Sequence, residues 1–172
     1  TLDEGLSQAV KEVFVRLYEK GYIYQGKRII NWDPVQRTAL SNIEVIHKEI
    51  EGAMYYFKYK IVDSDQELVI ATTRPETMFA DQAIFVHPDD ERYKDLVGKY
   101  AINPANGEKL PIMADSYIDM DFGTAVMKCT PAHDPNDFAL AKKYNLDMPI
   151  CMNDDGTMNE LCHKYQGMDR FE

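Results

Sequence analysis

Apolar residues recur at helical spacing near the start of the chain. Four of them fall on one face of a helix: Leu6, Val10, Val13 and Leu17. Thr1 and Glu4 have the spacing of a capping box, and Gly21 supplies a C-terminal stop. Because the opposite face mixes acidic and basic side chains, we expect a helix that covers the core and does not bind a membrane.

The pattern then changes to short segments typical of β-strands. Residues 22–32 are β-prone, and we expect Asn31-Trp-Asp-Pro34 to break them. Segments 52–61 and 67–73 flank the acidic turn at 63–65 and predict an antiparallel pair. A sheet-based core is therefore expected.

Turn residues mark further elements. Asn106-Gly107 is the strongest hairpin signal, and Asp155-Gly156 is a second one. Pro88 and the acidic residues after it are typical of a helix first turn, which Gly98 would end. Short strands, interspersed helices and no βαβ regularity predict an α+β fold with an antiparallel or mixed β-barrel core and peripheral helices.

Composition favours a folded domain. The chain has 172 residues, of which 45% are hydrophobic, and no apolar run long enough to span a membrane. The three cysteines, Cys129, Cys151 and Cys162, contain no CxxC spacing, which argues against a disulfide framework and a standard zinc site. We expect a cytoplasmic protein with no membrane partner.

The charge is uneven along the chain. The net charge is −10, and residues 61–172 hold ten basic and twenty-one acidic side chains, whereas residues 1–60 hold nine and eight. This balance argues against a protein that grips a long stretch of nucleic acid electrostatically.

The first segment with candidate chemistry is Ala71-Thr-Thr-Arg-Pro-Glu-Thr77. It follows an apolar strand and brings hydroxyls, a guanidinium and a carboxylate to a turn, since Pro75 favours an extended Arg74. A structural interpretation is equally open, with the threonines as strand formers and caps and Arg74 paired with Glu76 on the surface.

The second segment runs from Phe122 to Phe138. An apolar strand over 124–129 leads to a helix for which Asp134 is the expected N-cap, with Asp137 as its third residue. Capping and the helix dipole could explain both carboxylates. Alternatively, the two carboxylates and Lys128 form a pocket suited to an ammonium group and a hydroxyl. Local chemistry alone does not distinguish the capping interpretation from the pocket interpretation.

Other chemistries are weaker. The sequence contains no nucleophile elbow, P-loop or dinucleotide fingerprint. Cys129 with His133, and Cys162 with His163, leave a Cys/His metal protein open, although neither pair has a standard zinc spacing. We expect no metal and no cofactor.

Together, the two segments resemble motifs of the editing domain in valyl-, isoleucyl- and leucyl-tRNA synthetases. The first resembles the threonine-rich motif, and the second the Gly-Thr…Pro-Ala-His-Asp-x-x-Asp motif. Lys128, Asn31-Trp-Asp-Pro34 and the stretch 161–172 are similar to the valyl branch. One departure is Ala125, where the family commonly has a second glycine. The resemblance covers essentially the whole chain.

The resemblance implies one editing domain over residues 1–172. Residues 1–48 would be a lead-in from the catalytic body, 49–161 the editing core, and 162–172 a return segment. Neither the His-Ile-Gly-His-like nor the Lys-Met-Ser-Lys-Ser-like signature occurs, so ATP-dependent aminoacylation is not expected from these residues.

The implied function is hydrolysis of mischarged Thr-tRNA(Val). A hydrophobic pocket rejects an added hydroxyl only about a hundredfold, a limit for which valine-specific synthetases are the standard example. The implied partners are the 3′ aminoacylated end of tRNA(Val) and the catalytic body of the parent synthetase. Alternatives are a leucyl or isoleucyl editing domain and a non-catalytic module that binds the tRNA 3′ end.

The resemblance also implies roles for residues that contact the amino acid. Asp137 would hold the substrate α-ammonium by a charge-assisted hydrogen bond. Lys128 with Asp134 would read the side-chain hydroxyl, and Thr130 belongs to the same pocket.

Residues of both motifs would serve the nucleotide and the water. Arg74 and Phe122 would position the terminal adenosine, the second by stacking. Thr72, Thr73 and Thr77 would line the pocket and orient the attacking water. No general base is evident, so we expect positioning, with help from the substrate's ribose hydroxyl, to supply most of the rate.

Overall fold

The computed structural model describes residues 3–172. Helix α1 spans Glu4–Glu19, and Asp3 caps it by accepting a 2.9 Å hydrogen bond from the backbone N–H of Leu6. Thr1, the predicted cap, lies outside the described residues. Gly21, with a φ of 74°, follows the end of the helix, as the sequence predicts.

The expectation that α1 covers the core is wrong. No residue of the helix is buried, and Val10, at the centre of its apolar face, is 69% exposed. The periodicity predicted the face correctly, but no part of residues 3–172 covers it.

A separate hairpin follows the helix. It pairs β1 (Asn31–Asp33) with β2 (Thr38–Leu40) in antiparallel register. The expected strand over 22–32 and its break at 31–34 are therefore wrong, because the strand begins at Asn31. The chain turns after Asp33, whose carboxylate accepts the backbone N–H of Val35, and the Trp32 indole donates to the carbonyl of Asp154.

Six strands form the main sheet. In chain order they are β3 (Tyr55–Ile61), β4 (Glu67–Thr72), β5 (Ala83–Val86), β6 (Tyr100–Ile102), β7 (Lys109–Ala114) and β8 (Val126–Cys129). The hydrogen-bonded order is β4-β3-β6-β7-β5-β8, in which only β5 and β7 run parallel. Strands β4 and β8 lie against each other, so the mixed sheet is a nearly closed barrel. The predicted fold class is confirmed.

The predicted hairpins are present. Tyr59 pairs with Leu68 across β3 and β4, and Ala101 pairs with Leu110 across β6 and β7. These side chains belong to the main apolar core inside the barrel. Gly107 has the positive φ, 79°, that the β6–β7 turn requires. The Asp155-Gly156 turn is flanked by a single antiparallel bridge from Met152 to Met158.

The helix expected from Pro88 to Gly98 is wrong. The segment consists of turns and a short 3-10 helix at Lys94–Leu96. Asp90 binds both the backbone N–H and the guanidinium of Arg92, and the ring of His87 accepts the backbone N–H of Asp89. These local bonds compete with helical ones.

One further α-helix and three more 3-10 helices lie in residues 3–172. Helix α2 spans Pro135–Tyr144 and starts after the Asp134 cap, as predicted, and 3-10 helices occupy Asn42–Glu44, Pro75–Ala80 and Glu160–Tyr165. In residues 3–172 no helix combines the length and the apolar character needed to cross a membrane.

Candidate functional site

A cleft of about 490 Å³ opens where the end of β4, strand β8 and the first turn of α2 meet. Every candidate residue from the two sequence segments lines it: Thr72, Thr73, Arg74, Thr77, Phe122, Lys128, Thr130, Asp134 and Asp137. The two segments, about fifty residues apart in sequence, therefore form one concave site.

Arg74 joins the two segments at the cleft. Its Nε donates to Glu76 Oε1 at 2.9 Å, which is the pairing that a structural role predicts. A terminal nitrogen of the guanidinium also donates to the carbonyl of His133 at 2.7 Å. The backbone N–H of Arg74 donates to Thr72 Oγ1. Hydrogen bonds therefore link Arg74 both to the end of β4 and to the segment before α2.

Lys128 lies at the floor of the cleft and is buried. Its Nζ contacts Thr77 Oγ1 at 2.8 Å, Asp81 Oδ1 at 3.1 Å and Thr130 Oγ1 at 2.5 Å. The counter-ion of Lys128 in the described residues is thus Asp81, not Asp134.

Asp81 does not line the cleft, but it binds Lys128 from behind it, and sequence reasoning missed this residue. Its side chain is completely buried, and it accepts further hydrogen bonds from the hydroxyls of Thr130 and Tyr59, both at 2.8 Å. Burial raises the pKa of Asp81, against the opposing effects of Lys128 and the two hydroxyls. A signal was available, because Asp81 stands among apolar residues where an unpaired carboxylate would be costly.

Asp134 and Asp137 occupy the first turn of α2. Oδ1 of Asp134 accepts the backbone N–H groups of Asn136 and Asp137, so this residue is the predicted N-cap. Oδ2 of Asp137 accepts the backbone N–H of Thr130 at 2.7 Å. Within residues 3–172 the second carboxylate oxygen of each aspartate has no hydrogen-bond partner. Each aspartate therefore keeps one oxygen that can accept a hydrogen bond from a ligand.

The environment of Asp137 changes its titration. Burial raises the pKa of Asp137 to about 6, and the charge of Asp134 adds to the rise, whereas the Thr130 N–H opposes it. The carboxylate is therefore ionised at neutral pH but only by a small margin.

His133 forms part of the cleft wall and has a structural partner. Its Nε2 accepts the backbone N–H of Cys151 at 3.1 Å. Burial lowers the pKa of His133 to about 4, with help from the charges of Arg74 and Lys128, so the ring is neutral above pH 5.

The cysteines do not form a metal centre with the histidines in the described part of the chain. All three are free thiols and buried. No group of three or more His, Cys, Asp and Glu side chains in residues 3–172 is placed to hold a metal ion. Burial raises the pKa of Cys151 to about 12, which keeps this thiol protonated.

The turn before β8 presents an aromatic side chain at the cleft. Phe122 is 71% exposed, and its carbonyl accepts the backbone N–H of Ala125 at 2.9 Å. Gly123 and Ala125 both have positive φ, 58° and 57°. Ala125, the departure noted in the sequence, thus holds a left-handed conformation that glycine adopts at lower cost.

The comparisons with known proteins agree with this architecture. The family model for class I tRNA synthetases (I, L, M and V) matches residues 1–158, so the chain belongs to this family. Among its curated relatives are the valine–tRNA ligases of Mesoplasma florum, 61% identical over 173 residues, and Bacillus subtilis, 59% identical over 172. Each alignment covers 100% of this chain and 20% of the relative. The chain thus spans about a fifth of their length.

A solved structure shares the fold. In a crystal structure of the Agrobacterium radiobacter K84 agnB2 LeuRS in a ternary complex with tRNA and LeuAMS, the matching region superposes with a TM-score of 0.51 at 18% identity. The match covers 81% of this chain and 27% of that one. At this identity the likeness concerns the fold alone.

Proposed function

We propose that this chain is the editing domain of a valine-specific tRNA synthetase and hydrolyses the ester of mischarged Thr-tRNA(Val). The observation that carries the proposal is the convergence of nine candidate residues from two separate segments on one cleft. The identity of about 60% to valine–tRNA ligases supports the choice of the valyl branch.

Recognition of the amino acid would use the two aspartates of α2. Asp137 is ionised at neutral pH and has one free carboxylate oxygen, which suits the substrate α-ammonium. The free oxygen of Asp134 can accept the threonine hydroxyl. Valine in the cleft would leave that oxygen without a partner, and unpaired buried polar groups are the strongest basis for rejecting an analogue.

The terminal adenosine would be held at the rim. Glu76 and the carbonyl of His133 already orient Arg74. Little conformational entropy is therefore lost when its guanidinium binds the nucleotide. Phe122 presents an exposed ring on which a base can stack.

Hydrolysis would depend on positioning. Thr72 and Thr73 lie at the end of β4 and supply hydroxyls that can orient a water molecule toward the ester carbonyl. His133 is a poor general base, because its Nε2 already accepts the Cys151 N–H and its pKa is lowered to about 4. Effective concentration, aided by the neighbouring ribose hydroxyl, would supply most of the rate.

The lead-in would connect this domain to the remainder of the synthetase in the cytoplasm. The apolar face of α1 is exposed, and the valine–tRNA ligases are about five times as long as this chain, which covers 20% of each. We therefore propose that the catalytic body of the synthetase packs against the apolar face of α1.

Deacylation assays test the proposal. The full-length polypeptide that contains this sequence should release threonine from Thr-tRNA(Val) at least about a hundred times faster than valine from Val-tRNA(Val). Asp137→Ala should nearly abolish the reaction, whereas Asp65→Asn, an exposed carboxylate outside the cleft, should not change it.

Three outcomes would contradict the proposal. Equal cleavage of both esters would remove the specificity. Cleavage of mischarged tRNA(Ile) or tRNA(Leu) instead would assign the chain to the isoleucyl or leucyl synthetases. Binding of threonyl-adenosine without turnover would indicate a non-catalytic module.

A further inference from the structure

The ammonium of Lys128 has no N–H left for a substrate. A protonated lysine has three N–H donors. Three protein oxygens surround Nζ at hydrogen-bond distance, from Thr77, Asp81 and Thr130. A role for Lys128 in reading the substrate hydroxyl would require one of these buried bonds to break.

The donor and acceptor roles of the hydroxyl groups around Lys128 are fixed by their hydrogen-bond partners. Because Thr77 Oγ1 and Thr130 Oγ1 both accept from the ammonium, their own hydrogens are free to donate. Thr77 donates to the carbonyl of Arg74 at 2.9 Å, and Thr130 donates to Asp81 Oδ1 at 2.8 Å. Tyr59 donates to the other oxygen of Asp81. In the described residues no buried side-chain nitrogen or oxygen lacks a partner.

We propose that Asp81 is a positioning residue of the editing site, and that Lys128 acts through Thr77 and Thr130 without donating to the substrate. The inference rests on the proposed function. Asp81 fixes the ammonium, the ammonium holds one threonine from each segment, and the backbone N–H of Thr130 orients Asp137. We then assign recognition of the hydroxyl to Asp134, whose Oδ1 caps the helix and whose second carboxylate oxygen has no hydrogen-bond partner in residues 3–172.

The two charges also depend on each other. Both side chains are buried, so removing one partner leaves an uncompensated charge, whereas removing both leaves a neutral interior. A double variant therefore separates a role in positioning from direct contact with the substrate.

The test compares the wild type, Asp81→Asn, Lys128→Met and the double variant in the full-length polypeptide. The measurements are kcat and KM for Thr-tRNA(Val) and the threonine-to-valine rate ratio, at a temperature where circular dichroism shows folded protein. The matched control is the double variant Asp115→Asn/Lys143→Met. It removes an ion pair that also binds a tyrosine hydroxyl, that of Tyr144, and that does not line the cleft.

Positioning predicts that the double variant loses about ten- to a hundredfold in kcat, with KM and the threonine-to-valine ratio within about threefold of wild type. Asp81→Asn alone should be worse than the double variant, and the control should match wild type. If either single variant fails to fold, the double variant against wild type still decides, because the ratio is measured on folded protein.

A threonine-to-valine ratio that falls tenfold or more in the double variant would overturn the inference, since Lys128 would then contact the hydroxyl directly. An unchanged kcat in the double variant would overturn the role of Asp81. Failure of the wild type to cleave either ester would instead overturn the proposed function, and this role with it.

Discussion

Asp137 and Thr130 are joined by a 2.7 Å hydrogen bond from the backbone N–H of Thr130 to the buried carboxylate of Asp137. This bond only partly offsets burial, because the pKa of Asp137 is still raised to about 6 from a usual value of 3.8. A carboxyl group with a raised pKa in the folded state favours folding fully below about pH 4, and this contribution is lost as the pH rises through about 6.

Asp137→Asn should therefore stabilise the fold at pH 8 while removing activity. The amide keeps an acceptor for the Thr130 N–H and carries no buried charge, so the free energy of unfolding should rise by about 1 to 3 kcal/mol. Urea unfolding at pH 8 and pH 4.5 measures the effect, which should shrink at the lower pH. Asp65→Asn is the control, and a destabilised Asp137→Asn variant at pH 8 would refute the prediction.

The deacylation rate should depend on the ionisation of Asp137. If the ionised form binds the substrate ammonium, the rate should fall about tenfold per pH unit below pH 6. His133, whose pKa is lowered to about 4, should add no second step above pH 5. Single-turnover rates between pH 5 and 8, corrected for spontaneous hydrolysis, check this. A flat profile down to pH 5 would contradict the role of Asp137.

Phe122→Ala should weaken binding of the tRNA end without affecting the fold. The ring is 71% exposed, so the free energy of unfolding should change by less than about 0.5 kcal/mol. Loss of a stacking surface should raise KM about tenfold. Phe122→Tyr retains the ring and should behave as wild type. An equal defect in both variants would exclude stacking.

Ala125→Gly should stabilise the turn before β8. Alanine at a φ of 57° costs about 1 kcal/mol that glycine does not incur, although glycine is more flexible when unfolded. The expected gain is a few tenths of a kcal/mol to about 1 kcal/mol in urea unfolding. Ala101→Gly in β6 is the contrasting control and should destabilise by about that amount or more. A destabilised Ala125→Gly variant would argue against strain at this position.

Local signals predicted the elements that depend on local chemistry. The β3–β4 and β6–β7 hairpins and the capped start of α2 at Asp134 follow from turn residues, alternation and a cap, all within a few positions. The helix expected from Pro88 fails for the same kind of reason, since side-chain bonds such as Asp90 to Arg92 outweigh the dipole signal.

The part of the site that depends on tertiary contacts could not be predicted. Asp81 is bound by Tyr59 from β3, Lys128 from β8 and Thr130 from the following turn, and no sequence spacing links these three. The exposed face of α1 was also missed, because periodicity predicts an apolar face and does not say what covers it. The roles of the cleft residues remain predictions.

The cleft lies across the seam of the barrel. Strands β4 and β8 stand at the two ends of the hydrogen-bonded order, and each contributes one wall of the site. A partial opening there would separate Thr72 from Asp137 while both hairpins stayed intact. Under the proposed function, such an opening would separate the water-orienting residues from the amino-acid-binding residues, so we expect ester hydrolysis only while the barrel is closed.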